Sequence, residues 1–520
     1  MRTFRIVPVL AVVAALVALS SWWGGTDTPA RSTLRPLGVP AAQHEGALSA
    51  TWYCPGGQSP VDGGTQHQLV LVNPSEDAAT ARLSAHGTEG PAGSEVVEVP
   101  AGEQLRLGVA ERFDSEDVSV IVESAASELA VEHRFLAEDG GGDVLPCATR
   151  SSDHWYFPSQ STALEDRGED AETITDPLPN AARVVLFNPF SSDASVDLVA
   201  AVDDGIRAPR EWAGLVVPAG TTRTVDLAEH VQRRDQFSLT VTLRSGRVIA
   251  ETAQTFVRGN EVAGLRRQPG VPEPASRWGF ATGFTGSGVR EQLVVFNPGR
   301  DTASVVVQVT PVGGAEMPPE PFELDVAGRR YRVIELSDEG RVPGVGHHSI
   351  QVETDSATPV VVGRVLRVSG GPADPEPPAE GEPEVEPRPD VSGGTAIGTG
   401  TPLASTRWLV PFLRLGEGQD SSVVVHNPGT GAVRVDVVVS GAGTEPVVLA
   451  EGLEVPPGDG VVLRPPADLS GGVGSAEVTA TSPVIVERVV SVAELDDLSV
   501  GLAIPYPPGG DGRFPLLSEL

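Results

Sequence analysis

Apolar positions along this chain fall in short runs and strict alternations, never in helical stripes. Leu69–Val72 is aliphatic throughout, which suits a strand with both faces covered. Ala79–His86, Glu95–Val99, Gln104–Val109, Val118–Glu123 and Leu129–Phe135 follow, several with period two. With a strand near Trp52, this predicts about seven strands in roughly 100 residues, punctuated by Gly and Pro turns. That is the profile of an immunoglobulin-like or fibronectin-like β-sandwich, and it predicts an all-β fold.

The pattern recurs four times. An apolar run closed by Asn-Pro reads LVLVNP at Leu69–Pro74, VVLFNP at Val184–Pro189, LVVFNP at Leu293–Pro298 and VVVHNP at Val423–Pro428. Proline presets φ in the turn, and the asparagine side chain bonds the backbone that follows. A tryptophan precedes each copy (Trp52, Trp155, Trp278, Trp408), and a turn glycine follows each (Gly102, Gly220, Gly328, Gly458). A propeller is the rival for a fourfold repeat, but its blades run about 40–50 residues, half the length of these units. The expected sandwiches span residues 48–150, 151–271, 272–369 and 405–508, the second with an acidic insertion at Glu165–Asp176. Residues 370–404, acidic and proline-rich at the start, read as an extended linker that holds unit four apart. Residues 24–47 read as a second tether and 509–520 as a tail.

Arg2 and Arg5 precede the uncharged run Ile6–Trp23, the form of an export signal. The run is at the short end of what spans a bilayer, and Trp22 and Trp23 suit the headgroup interface. Residues 1–23 are therefore expected to form an uncleaved signal-anchor helix, single-pass in the cell membrane with the body extracytoplasmic. Secretion after cleavage near Ala18-Leu19-Ser20 is the alternative. Cys54 and Cys147 stand near the two ends of one repeat, which makes a disulfide in an oxidising compartment the expectation over two unrelated buried thiols.

Composition narrows the partners. Aromatic residues make up only 5%, so the cores must be filled by Val, Leu, Ala and Ile. The formal charge is −33, and all 37 basic residues are arginine, as in proteins from GC-rich genomes. A surface this acidic repels nucleic acid and anionic headgroups.

Candidate chemistry is sparse. No catalytic motif, phosphate loop or metal-ligand spacing is present, so no catalytic, cofactor or metal site is expected. His347-His348, with Asp338 or Glu339 in reach, reads as a pair of solvated loop histidines, and His133 and His426 read as strand positions. Glu132, Glu251 and Glu487 recur 59, 63 and 60 residues past the Asn-Pro asparagine, and GRVL at Gly363–Leu366 takes that place in unit three. They read as polar residues on an exposed strand face, paired with Arg134 or Arg488. The tryptophan before each Asn-Pro reads as a core anchor, whereas the off-register Trp212 is the candidate surface aromatic.

The signal-anchor, the Asn-Pro strings, the PAG turns and the ERVV strand together resemble a family of actinobacterial exported proteins with a domain of unknown function. The resemblance covers most of the chain. It implies a cell-envelope role near polysaccharide assembly and brings no catalytic residue with it. The expected function is a non-enzymatic, membrane-tethered scaffold or interaction module with an envelope protein or glycan partner. An array of carbohydrate-binding modules recognising cell-wall glycan is the alternative, and an enzyme would need a carboxylate pair made by folding.

Overall fold

The computed structural model describes the chain from Val39 to Leu520, apart from residues 44–46, 57–65, 116, 127, 138–141, 165–179, 259–260, 314–317, 343–345, 356, 370–390, 392, 417–418, 442–444, 467–468, 470–471, 493–496 and 508–513. The expected signal-anchor, most of the first tether and the acidic insertion lie outside the described residues. Among those described, no helix is long and apolar enough to cross a membrane.

The described chain is all-β. Unit one has eight strands: β1 (Ala50–Cys54), β2 (Gln66–Val72), β3 (Ala79–His86), β4 (Pro91–Val99), β5 (Gln104–Gly108), β6 (Ser119–Ser124), β7 (Ala130–Leu136) and β8 (Gly142–Pro146). They form two four-stranded sheets, ordered β1-β6-β3-β4 and β5-β2-β7-β8. Alternation does what the pattern requires. In β3 the side chains of Ala79, Ala81, Leu83 and Ala85 are buried while Thr80 and Arg82 face out. The same two-sheet arrangement recurs in the other units, where unit four fuses the counterparts of β6 and β7 into one 20-residue strand, Val473–Val492. Of the pairs expected of an immunoglobulin-like sandwich, β2–β5 and β3–β6 are present. The outer strands differ: β1 lies beside β6 and β7 lies beside β2, an exchange of the two sites that the terminal strands usually occupy.

The Asn-Pro asparagines explain why the sequence markers travel together. Asn73, Asn188, Asn297 and Asn427 are all buried. Each donates through Nδ2 to the carbonyl four residues on (Asp77, Ser192, Asp301, Gly431) at 2.7–2.8 Å. Each also donates to the last valine before the later turn (Val99, Val217, Val326, Val455) at 2.8–3.1 Å. One amide thus closes its own turn and fastens the PAG turn. Gly102, Gly220 and Gly458 sit there at φ 66°, 68° and 76°. In unit three the left-handed position falls on Arg329 (φ 58°), one residue after the expected turn glycine. Gly328 serves a different need, because a Cβ on it would lie 2.1 Å from the Arg300 carbonyl oxygen.

The four core tryptophans are buried, and each indole Nε1 donates to the carbonyl at the start of the β7-equivalent segment: Leu129, Val248, Val360 and Val484. Cys54 and Cys147 form a disulfide with Cα atoms 4.7 Å apart, tying β1 to the residue after β8.

The linker reading is overturned. Gly394–Thr399 pairs with Val361–Val368 as the eighth strand of unit three, so the later part of the expected linker belongs to that unit, while residues 370–390 lie outside the described residues. The composition of the stretch concealed a strand beyond it that the hairpin ladder required. Unit four is therefore not held apart but packs on units three and one. Two further segments read as free are also attached to it or to its seams. Ala42 donates its amide to Pro505, and Leu517 is buried between units three and four.

The units close into a ring. The eighth strands β8, Glu261–Pro269, Gly394–Thr399 and Asp497–Leu502 touch in sequence, and the last returns to β8. The first strand of each unit covers the second sheet of the next. His154–Gln160 lies on unit three, Arg277–Thr285 on unit four and Ser405–Arg414 on unit one, while Tyr53 meets Phe187 and Ile249 of unit two. This covering explains the continuous apolar runs. Val70 and Val72 share a cluster with Leu409 and Phe412 of unit four, so the face of β2 turned from its own sandwich is still dry.

Candidate functional site

The ionisable residues that recur in the sequence meet at the ring's interior. Strand register places Glu132, Glu251 and Glu487 at one equivalent position, each opposite the residue three before the Asn-Pro asparagine. In unit three that position is Gly363, and a Cβ there would strike the Pro158 ring at 2.6 Å. The next residue, Arg364, takes the place of His133 and Arg488.

These glutamates are buried, not exposed as the alternation suggested, because the outward face of one sandwich is the inward face of the ring. Arg488 Nη1 of unit four contacts both carboxylate oxygens of Glu132 in unit one, at 2.6 and 2.7 Å. Arg364 Nη2 of unit three donates to Glu487 of unit four at 3.4 Å, and Glu487 accepts the Thr282 amide at 2.8 Å. Glu251 of unit two accepts from Arg267 at 3.1 Å and lies 3.2 Å from His133 of unit one. Arg488 is thus a partner as expected, but across a seam. Arg134 instead lies over the Phe412 ring, and burial lowers its pKa to about 10.

Burial pushes the Glu132, Asp143 and Glu487 carboxyls up, against the opposing pull of Arg488, Arg266 and Arg364 respectively. Arg267 is pushed down by burial, with Glu251 opposing.

Arg266 of unit two touches each of the other three units. From unit two it donates through Nε to the Thr395 carbonyl of unit three, through Nη1 to Gly142 of unit one at 3.2 Å, and through Nη2 to Asp497 of unit four at 2.6 Å. Asp497 in turn accepts the Gly142 amide at 2.8 Å. Beside the adjacent Arg267 lies a cavity of about 70 Å³, lined also by Asp143, Glu487 and the strand-end residues Pro146, Pro269 and Thr399. Chemically this arrangement joins four units through charge-assisted bonds in a dry interior, where breaking one partner is costly.

Other expected positions resolve differently. His348 is a buried strand residue within Gly346–Thr354, and its carboxylate neighbour is Glu291 at 2.9 Å, so the solvated-loop reading of the histidine pair fails for it. His133 and His426 are strand residues, and burial lowers His426 to about 4. Trp212 is buried with its ring edge-on to His230, so the expected surface aromatic is a core residue. With it, each of the five tryptophans among the described residues is buried, so none of these five is available to stack on a glycan. No group of three or more potential metal ligands occurs among the described residues. Arg266, Arg267, Glu291, Asp143 and Asp497 escaped sequence reasoning. The doublet Arg266-Arg267 within the strand Glu261–Pro269 was the available signal.

The model of a family of unknown function, DUF5719, matches residues 53–167 and 178–376. The chain belongs to this family. The match spans units one and two and most of unit three, while unit four repeats the same sheets outside it. No curated protein matches the chain. Among solved structures, a Thermotoga maritima protein, 1070, is 18% identical over 25% of this chain and 95% of its own, with a TM-score of 0.19. The Anabaena sensory rhodopsin transducer is 20% identical over 17% of this chain and 94% of its own, with a TM-score of 0.16. Likenesses at these scores carry no argument.

Proposed function

We propose that this chain is a non-enzymatic extracytoplasmic cell-envelope protein, tethered by Ile6–Trp23, whose closed ring acts as a docking body for envelope machinery such as a polysaccharide-assembly enzyme. The observation that carries this reading is the direction in which the repeated ionisable groups point: Glu132 and Arg488, Glu487 and Arg364, and Glu251 and His133 meet across units. The outer faces then remain for a partner. The Cys54–Cys147 bond suits an oxidising compartment, and the net charge of −33 argues against nucleic acid. We further read each unit as an immunoglobulin-like sandwich with exchanged terminal strands.

The test is crosslinking in whole cells, solubilisation of membranes in detergent, capture of the full chain and identification of partners by mass spectrometry. Specific recovery of an envelope enzyme or transporter supports docking. Recovery of polysaccharide alone moves the reading to glycan binding, and hydrolase or transferase activity in the purified chain ends the non-enzymatic one.

A further inference from the structure

A line of four side chains crosses the seam between units one and two. His67 Nδ1 lies 3.2 Å from the Val118 carbonyl oxygen, and His67 Nε2 lies 3.3 Å from His133 Nδ1. His133 Nε2 lies 3.2 Å from Glu251 Oε1, and Glu251 Oε2 accepts from Arg267 Nη2 at 3.1 Å. Neither His133 Nε2 nor Glu251 Oε1 has a hydrogen-bond partner, so the two atoms face each other unsatisfied, and both residues are buried.

The proton positions follow from the ends of the line. A carbonyl only accepts, so His67 Nδ1 carries a hydrogen. Burial pushes the His67 pKa well below its usual value, so its ring is neutral and its Nε2 accepts. His133 Nδ1 must then donate. A neutral His133 would present the lone pair of Nε2 to a carboxylate oxygen in a dry seam, which is repulsive. One additional proton converts that clash into an ion pair or a neutral hydrogen bond. His348 beside Glu291 imposes no such requirement, because its Nδ1 has no partner and its Nε2 is free to donate.

We propose that His133 and Glu251 share a proton that latches unit one to unit two, and that its loss to solvent loosens this seam. The groups around it are fixed in their own pairs. Glu132 on the same strand is held by Arg488 of unit four, and Asp143 on β8 accepts from Ser499 and from the Arg267 amide. Arg267 also donates to the Pro55 and Gly56 carbonyls and feels Asp117, while Arg266 is held by Asp497. The closed seam then holds one proton more than an opened seam whose groups meet neutral or alkaline water. Opening therefore becomes easier as pH rises, by about tenfold per pH unit until the latched proton itself is lost. Below about 6.5 the opened histidine binds the proton too, and the dependence vanishes. The chain has no lysine and no free thiol, so few other groups titrate in this window.

The test is amide hydrogen exchange of the full chain, read by mass spectrometry between pH 6 and 9 with the base-catalysed chemical rate divided out. Opening of Ala130–Leu136 and Ile249–Arg258 should rise about tenfold per unit above pH 7, while Val433–Gly441 in unit four stays flat. Glu251→Gln supplies an amide hydrogen to a neutral His133 and keeps an oxygen for Arg267, so it should abolish the dependence. A flat profile in the unmodified chain overturns the latch, with or without the variant. A slope unchanged in Glu251→Gln overturns it as well, since the proton then resides elsewhere.

Discussion

Removing the Arg488 guanidinium should destabilise the ring far more than removing the whole ion pair. Arg488 and Glu132 are fully buried, and Arg488 also donates to the Val144 carbonyl. Arg488→Met leaves a carboxylate in the seam between units one and four with no cation, and breaking a buried pair in this way costs about 3–5 kcal/mol. Glu132→Leu strands the arginine and should cost a similar amount. The double variant replaces the pair with apolar groups of comparable volume and should return to within about 1 kcal/mol of the parent. The assay is urea unfolding of all four proteins, read as a double-mutant cycle with a coupling of at least about 3 kcal/mol. The pH dependence has a definite sign. Burial raises the folded carboxyl of Glu132 above its unfolded value, so its protonated form is favoured in the folded state. That contribution is present below the unfolded pKa of about 4.3 and is lost as pH rises through the folded value. The deficit of Arg488→Met should therefore be smaller at pH 5 than at pH 8. Additive costs, or a single-variant cost below about 1 kcal/mol, would refute the claim that this seam is dry and coupled.

Other predictions follow from the repeated turns and the cross-link. Asn297→Ala strands the Asp301 and Val326 carbonyls and should lower stability by about 2–4 kcal/mol, seen as a shifted urea midpoint. In the neighbouring turn, Arg329→Gly should be neutral or stabilising by up to about 1 kcal/mol, while Gly328→Ala should cost about 1–3 kcal/mol. Thermal melts of the two variants test that opposition, and equal effects would mean the turn geometry is misassigned. Reducing Cys54–Cys147, which are 93 residues apart, should lower the melting temperature by an amount worth about 2–5 kcal/mol, checked with and without reductant.

The sandwiches were legible in the chain because their determinants are local. Alternation in β3 marks one buried face, and the Asn-Pro asparagine binds a turn four residues away. The ring was not legible, because its determinants lie between units. Glu132 alternates out of its own sandwich in the same way a solvent-facing residue does, and only the neighbouring unit makes that side dry. The aliphatic run at Leu69–Val72 did require cover on both faces, yet nothing local named the strand Ser405–Arg414 as the cover. Composition misled in one place. The acidic, proline-rich stretch before Gly394 resembles a spacer, but the strand after it completes the ladder begun at Val361.

A closed circle also sets an order of assembly. Val39 and Ala42 leave the ribosome before any sandwich does, yet their place is on unit four, where Ala42 meets Pro505. The opening residues of the body must therefore wait for almost the entire remaining chain before they find their partners. Long-range closure of this kind is slow relative to the formation of each sandwich. As the chain emerges, its sandwiches are four separate beads, and only the last one to arrive turns them into a single object.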